Sequence, residues 1–296
     1  MSHFKSNNVL SLIGKIAFFL IVSVCILGTV FFQGRVIQAK SENKKLEVEL
    51  QQVKASIESL SQQNTVLESE ITDKEKVYHE AIKHLKFAYL TFDDGPSSHT
   101  GKILDTLDKY NVKATFFVNY RAGREDMYKE ISKRGHVLAN HTYSHDYSKI
   151  YASKENFFAD VKKLDDELER ITGEKPSKIF RFPGGSNNTI SWNYSRSSQF
   201  MPNLAQELTN MGYTFFDWNV DSTDASTFRQ QKHIIVSRIL EDCQYVKHAN
   251  ILMHDLDPKD TTVEALPEII EGLKNQGFLF DVLTHDSPKA QFIEVN

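Results

Sequence analysis

The stretch YLTFDDGPSSHTGKIL (residues 89–104) runs from an apolar strand pattern into two adjacent carboxylates, a turn, and the start of an amphipathic helix. Asp93 and Asp94 stand side by side although like charges repel, and successive side chains of a strand point to opposite faces. Gly95 and Pro96 then force the turn. Taken alone, the stretch is read equally well as ordinary turn chemistry with solvated carboxylates. The rest of the chain has to separate a turn from a site.

From Phe87 onward, strand-like runs alternate with helical patterns: FAYLTF, TGKILDTLDKY, VKATFFVN, REDMYKEISKRG, HVLAN, a long charged helix through Arg170, KIFRF, LAQELTNMG, YTFFDWN, QQKHIIVSRILED, ANILMHD, LPEIIEGLKNQG and FLFDVL. Repeated β-then-α units predict an α/β fold with a parallel sheet or barrel and helices outside. In such barrels chemistry gathers at the C-terminal ends of the strands. The polar residues collect there: Asp93 and Asp94, His141 and His145 after HVLAN, Arg181 after KIF, Asp217 and Asp221 after YTFF, and His254 with Asp255 after ANILM. Solvated turns would not produce that pattern by accident.

His141 and His145 are four apart, a spacing that on a helical turn puts both on one face, where they can grip a single ion. A His pair alone is more often ordinary surface or core chemistry. Two imidazoles with a carboxylate from another strand end, however, form the usual protein ligand set of a catalytic metal that leaves positions open for water.

Five motifs in order, TFDDGP (91–96), HTYSH (141–145), RFPGG (181–185), WNVDSTD (218–224) and ILMHD (251–255), resemble the polysaccharide deacetylases of carbohydrate esterase family 4, the NodB-homology domain, over about Phe87 to Leu283. The resemblance implies a distorted (β/α) barrel of about seven strands that removes acetyl groups from a polysaccharide. It implies Asp94, His141 and His145 as ligands of one divalent metal, Zn²⁺ first, with Co²⁺, Fe²⁺ or Mn²⁺ also suited. It makes Asp93 the general base, Arg181 the residue holding that base ionised, and His254 the general acid. It makes Asp221 the acid that orients His254. Leu252 is expected to line the acetyl-methyl pocket, and Gly184 and Trp218 to face substrate. Strand alternation is expected to turn Asp93 and Asp94 to different sides.

Two positions depart from the family pattern. Gly184 and Gly185 follow the proline of the third motif where many relatives carry an aromatic residue whose backbone N–H serves the oxyanion, and Ala225 follows Asp224 where Trp is common. Residues 186–203 read as a polar, aromatic-bearing insertion, either a glycan-contacting or a merely solvated loop.

The N-terminal third has another character. Residues 16–34, IAFFLIVSVCILGTVFFQG, carry no charge and suit a membrane-spanning helix. A signal peptide is the alternative, but the run is long for one and its best cleavage site, Ile37-Gln38-Ala39, begins with a bulky residue. Lys5 and Lys15 precede the span while Arg35, Lys40, Lys44 and Lys45 follow it, so charge alone does not support an N-in orientation. Next, Leu46, Val53, Leu60 and Leu67 fall at one heptad position, and Leu50, Ile57, Asn64 and Ile71 at the other. That is the seam of a coiled coil, with Asn64 as a register-setting residue of a parallel homodimer. A lone amphipathic helix is the alternative. The expected organisation is a short tail (1–15), a transmembrane anchor (16–34), a coiled-coil stalk (42–85) and a catalytic domain (86–296).

Net charge is −4, pI is about 6.3, and no Lys/Arg block occurs, which argues against nucleic acid as a partner. Cys25 and Cys243 imply no disulfide framework. The expected protein is a single-pass bacterial membrane enzyme with an extracellular, metal-dependent N-deacetylase domain acting on peptidoglycan N-acetylglucosamine. N-acetylmuramic acid, poly-N-acetylglucosamine and chitin-like chains are rival substrates, and a scaffold with an inactive barrel is the rival of another class.

Overall fold

The computed structural model describes residues 3–295, with the side chains of residues 3–14, 16–18, 21, 79, 81 and 82 left out. Met1 and Ser2 of the expected tail lie outside the described residues. The chain divides into two units, residues 1–83 and 84–296. The first is a single helix, α1 (His3–Ile82). By length and composition α1 is apolar enough to cross a membrane. Along it Leu46, Leu50, Val53, Ile57, Leu60, Leu67 and Ile71 are each more than half exposed, so the heptad stripe is unpaired within one chain. A helix of this length gains little from propensity alone, and its apolar stripe needs a partner surface to be stabilised by burial.

The second unit contains β1 (Lys86–Asp93), α2 (Thr100–Tyr110), β2 (Thr115–Val118), α3 (Glu125–Lys133), β3 (Val137–Asn140), α4 (Tyr147–Ile150), α5 (Lys154–Thr172) and β4 (Ile179–Phe180). It continues with α6 (Trp192–Ser195), α7 (Phe200–Asn210), β5 (Thr214–Phe215), β6 (Val220–Asp221), α8 (Lys232–Asp242), β7 (His248–His254), α9 (Asp260–Asn275) and β8 (Phe278–Phe280). Seven strands run β5-β4-β3-β2-β1-β7-β6, with β8 joining the first residues of β1, and every pairing is parallel. No ladder joins β5 to β6 among the described residues, so the barrel is distorted and open there. This is the α/β architecture expected.

Strand alternation sorts the core. Ala88, Leu90 and Phe92 of β1 pack outward with Phe116, Ile251 and Met253 against Ile103, Leu107, Ile269 and Leu273 of α2 and α9. Tyr89 points inward with Phe117, Ala139, Ile179 and Phe216, which form the apolar floor of the barrel. A second cluster is aromatic: the Phe157 ring of α5 packs within 6.2 Å of Tyr151, Phe180 and Phe182. Parallel register then aligns the strand ends. Asp93 lies beside His254 and Phe117, and Asn140 beside Phe180, which puts His141 and Arg181 next to each other.

Phe157→Ala removes the centre of the aromatic cluster and is expected to cost about 3–5 kcal/mol. Both tryptophans, Trp192 and Trp218, lie in this unit, so urea unfolding followed by their fluorescence reads the barrel. An unchanged midpoint would show that the cluster does not hold α5 to the sheet.

Candidate active site

Arg181, just past β4, is fully buried and uses all five of its N–H donors. Nη1 donates to Thr91 Oγ1 (2.7 Å) and Asp93 Oδ1 (2.8 Å), Nη2 to the Asp217 carbonyl (2.9 Å) and Asn250 Oδ1 (3.0 Å), and Nε to the Phe216 carbonyl (3.0 Å). The guanidinium also lies 4.1 Å above the Phe117 ring of the barrel floor. Burial pushes the Asp93 carboxyl above the usual carboxylate range, and the charge and hydrogen bond of Arg181 pull against that rise. Arg181 thus limits the cost of a buried carboxylate.

Asp94 follows with φ of +72°, outside the strand, so strand alternation does not direct it. The expectation that the two carboxylates face different sides is corrected. Asp93 Oδ2 lies 3.7 Å and Asp94 Oδ1 3.8 Å from the same atom, His141 Nε2. The left-handed turn at Asp94 is pinned by its N–H on the Phe117 carbonyl (3.0 Å).

His141 and His145 lie on an irregular loop after β3, not on the helical turn their spacing suggested. Thr142 (φ +69°) and His145 (φ +50°) bend it. Such a conformation is costly for a β-branched residue, and local hydrogen bonds hold it. Asn119 Nδ2 donates to the His141 and Thr142 carbonyls (2.6 and 2.9 Å), and the Thr142 N–H donates to Asn140 Oδ1 (2.8 Å). His141 Nδ1 donates to the Arg181 carbonyl (2.8 Å), leaving Nε2 as the free lone pair. Burial first, then the neighbouring His145, lowers His141 to about 3, so it is a neutral imidazole.

Asp94, His141 and His145 bring one ligand atom each within 4.8 Å of one another. Asp94 Oδ1 is buried with no hydrogen-bond partner. A buried carboxylate oxygen without a donor is costly, and a divalent cation is the group that would satisfy it. The three residues therefore fit a metal.

His254 ends β7, and its orienting acid is Asp224, not the expected Asp221. Nδ1 donates to Asp224 Oδ1 (2.7 Å), while the His254 N–H and Thr262 Oγ1 both donate to Asp224 Oδ2 (2.9 Å each). Asp221 is exposed, and among the described residues its carboxylate accepts only the Thr223 N–H (2.8 Å). The chain reverses at Thr223 (φ +59°), which carries the next residue, Asp224, to His254 at the end of β7. Burial alone would lower His254, but the hydrogen bond and charge of Asp224 outweigh it and raise the imidazole to about 9. Asp217 is structural: its carboxylate takes the Ser186 N–H and Oγ (2.7 and 2.6 Å) and the Phe292 N–H (2.7 Å).

A family model described as polysaccharide deacetylase matches residues 81–202. Over 217 residues the chain is 32% identical to a peptidoglycan-N-acetylglucosamine deacetylase of Bacillus cereus, spanning 69% of this chain and 72% of that protein. The chain belongs to the polysaccharide deacetylase family. The solved catalytic domain of a peptidoglycan N-acetylglucosamine deacetylase from Eubacterium rectale is similar with a TM-score of 0.67 and 39% identity, over 70% of this chain and 93% of that one. A polysaccharide deacetylase from Bacillus cereus is similar with a TM-score of 0.59 and 28% identity, over 70% and 97%. This chain is accordingly a hydrolase of the amide-cleaving kind.

In this polysaccharide deacetylase Gly184 and Gly185 have φ of +77° and +86°. A Cβ on Gly184 would stand 3.0 Å from Tyr147 Oη, so the phenol of α4 fills the room beside the missing side chain. Tyr147 also packs edge-on to His145, with centroids 5.3 Å apart. The sequence reading missed Tyr147 and Asp224. Tyr147 lies two residues past the second motif, and Asp224 is the last residue of the fourth, so proximity to motifs was the available signal. Trp218 is half-buried, with its ring 5.0 Å from Phe292, and Leu252 is buried beside Asp221 in the β6–β7 ladder.

His254 is raised, so its proton is present below about pH 9 and lost above it, and a nearby cation would move that loss lower. Asp224→Asn is expected to shift the alkaline limb of activity down by about one unit or more. Asp221→Asn is expected to leave that limb in place. Acetate release as a function of pH measures both, and equal behaviour of the two variants would reject the assignment.

Proposed function

We propose that the protein is a membrane-anchored, metal-dependent N-deacetylase of a bacterial cell-wall glycan, taking N-acetylglucosamine units of peptidoglycan. The observation that carries this reading is the meeting, at one end of the barrel, of an arginine-held carboxylate, a carboxylate-held imidazole and a three-ligand cluster. The similarity to proteins named for that substrate supports the choice of polymer.

A divalent ion on Asp94, His141 and His145, Zn²⁺ first, would polarise the acetyl carbonyl and acidify a water. Asp93 takes the proton of the attacking water, and Arg181 keeps it ionised for that task. The Gly184 N–H, which has no acceptor among the described residues, serves the oxyanion. His254 enters protonated and delivers its Nε2 proton to the leaving amine, while Asp224 stabilises the imidazolium. Leu252 and Trp218 bound the pocket for the acetyl group, and Tyr147 supplies the wall that Gly184 lacks.

Residues 16–34 anchor the chain, and residues 42–85 form a parallel two-stranded stalk with the barrel outside the cytoplasm. The unpaired heptad stripe on α1 supports the pairing. One experiment reads both claims. In a Cys25→Ser background, Leu60→Cys is expected to give covalent dimers when intact wall-less cells receive a membrane-impermeant bis-maleimide. Protection until the membrane is broken would reverse the topology, and labelling without dimers would reject the coil.

The adjacent carboxylates separate the chemical roles. Asp94→Asn is expected to lose metal, with activity partly restored by excess ion. Asp93→Asn is expected to keep metal and fold yet lose about 10²–10⁴-fold in turnover, and added metal should not rescue it. Metal content and acetate release are the two measurements. Metal loss in Asp93→Asn with retention in Asp94→Asn would exchange the roles.

A further inference from the structure

A cavity of 470 Å³, inside the range of ligand sites, opens beside the Asp94–Pro96 turn, lined by Pro96, Tyr120, Arg121, Arg124 and Asp257 among others. It shares that turn with the ligand cluster: Arg121 Nε and Nη2 reach the Asp94 carbonyl at 3.4 and 3.2 Å. The wall is pre-set, because buried Tyr128 takes the Arg121 N–H (2.7 Å) and donates to the Asn119 carbonyl (2.5 Å). Tyr120 is fixed by stacking on Tyr143, with centroids 4.8 Å apart. Arg124 is half-buried, and its guanidinium has no hydrogen-bond acceptor among the described residues. The one acid in the wall, Asp257, accepts the Ser98 N–H (2.8 Å), which together with the charge of Arg124 holds its carboxyl below the usual carboxylate range. Two guanidiniums against one engaged carboxylate leave the cavity positive.

We propose that this cavity is a subsite for a carboxylate carried by the glycan next to the reacting sugar, read by the guanidiniums of Arg121 and Arg124. The inference rests on the peptidoglycan reading above and sharpens it, since the lactyl-linked stem peptides of that polymer carry carboxylates and a chitin-like chain carries none. A planar guanidinium suits a planar carboxylate by paired N–H donors.

The test uses the full chain and three substrates: peptide-bearing glycan strands, the same strands after amidase removes the stem peptides, and neutral chito-oligosaccharides. Arg124→Gln, remote from the proton-transfer groups, is expected to raise KM for peptide-bearing strands about tenfold at low salt, an effect that shrinks as salt rises. It is expected to leave chito-oligosaccharide turnover unchanged, and Arg124→Lys should retain part of the effect. Persistence of the effect on amidase-treated strands assigns the lactyl carboxylate, and its loss there assigns the peptide. Equal effects on charged and neutral substrates, or none on either, overturn the subsite. Binding of the strands to the same variants is measured without acetate release. Arg124-dependent binding by a chain that releases no acetate would defeat the proposed function and leave the subsite standing. Binding indifferent to Arg124 would defeat the subsite alone.

Discussion

A fully buried guanidinium is tolerable only when every donor is paired, and Arg181 meets that condition through three separate segments. Its partners come from β1 (Thr91, Asp93), the stretch after β5 (Phe216, Asp217) and β7 (Asn250), and its own carbonyl takes the proton of His141 Nδ1. One residue therefore holds the barrel's upper interior together and steadies the charge of Asp93 through its side chain, while its main-chain carbonyl fixes the tautomer of His141. Losing the guanidinium would strand five buried acceptors at once, one of them the Asp93 carboxylate. Stability of this end of the barrel and readiness of the site are the same interaction.

The remaining groups divide by electrostatics. Asp93 is kept in reach of ionisation by a cation, and His254 is kept protonated by an anion, Asp224. Register places the two beside each other on neighbouring parallel strands. A carboxylate beside an imidazolium is the pairing on which the proposed mechanism rests. The ligand cluster lies on the other side of Asp93, held by left-handed residues at Asp94 and His145. That strain persists because Asn119, Asn140 and Phe117 bind the surrounding backbone.

Much of the site was legible because chemistry of this kind needs rare residues at strand ends, and strand ends are marked by apolar runs stopping. Asp93, Asp94, His141, His145, Arg181 and His254 were marked that way as candidates, and the structure brings them to one end of the barrel. Asp221 was misread for a physical reason. It ends a two-residue strand, and whether it or Asp224 reaches the His254 ring depends on a left-handed turn at Thr223, a residue type that rarely adopts one. The helical reading of the His pair failed similarly. A four-residue spacing signals a shared face only inside a helix, and here two positive-φ residues bring the rings together instead.

The sequence by itself determined the layered α/β plan, the separate apolar and heptad segments of the N-terminal third, and the kinds of group available to an active site. Those features follow from periodicity and composition, which are local. The tertiary structure decided which carboxylate serves which partner, that both members of the Asp93–Asp94 pair turn toward His141, and that Tyr147 fills the room beside Gly184. Each depends on a backbone turn or a ladder register joining residues far apart in the chain, and no local pattern encodes those distances.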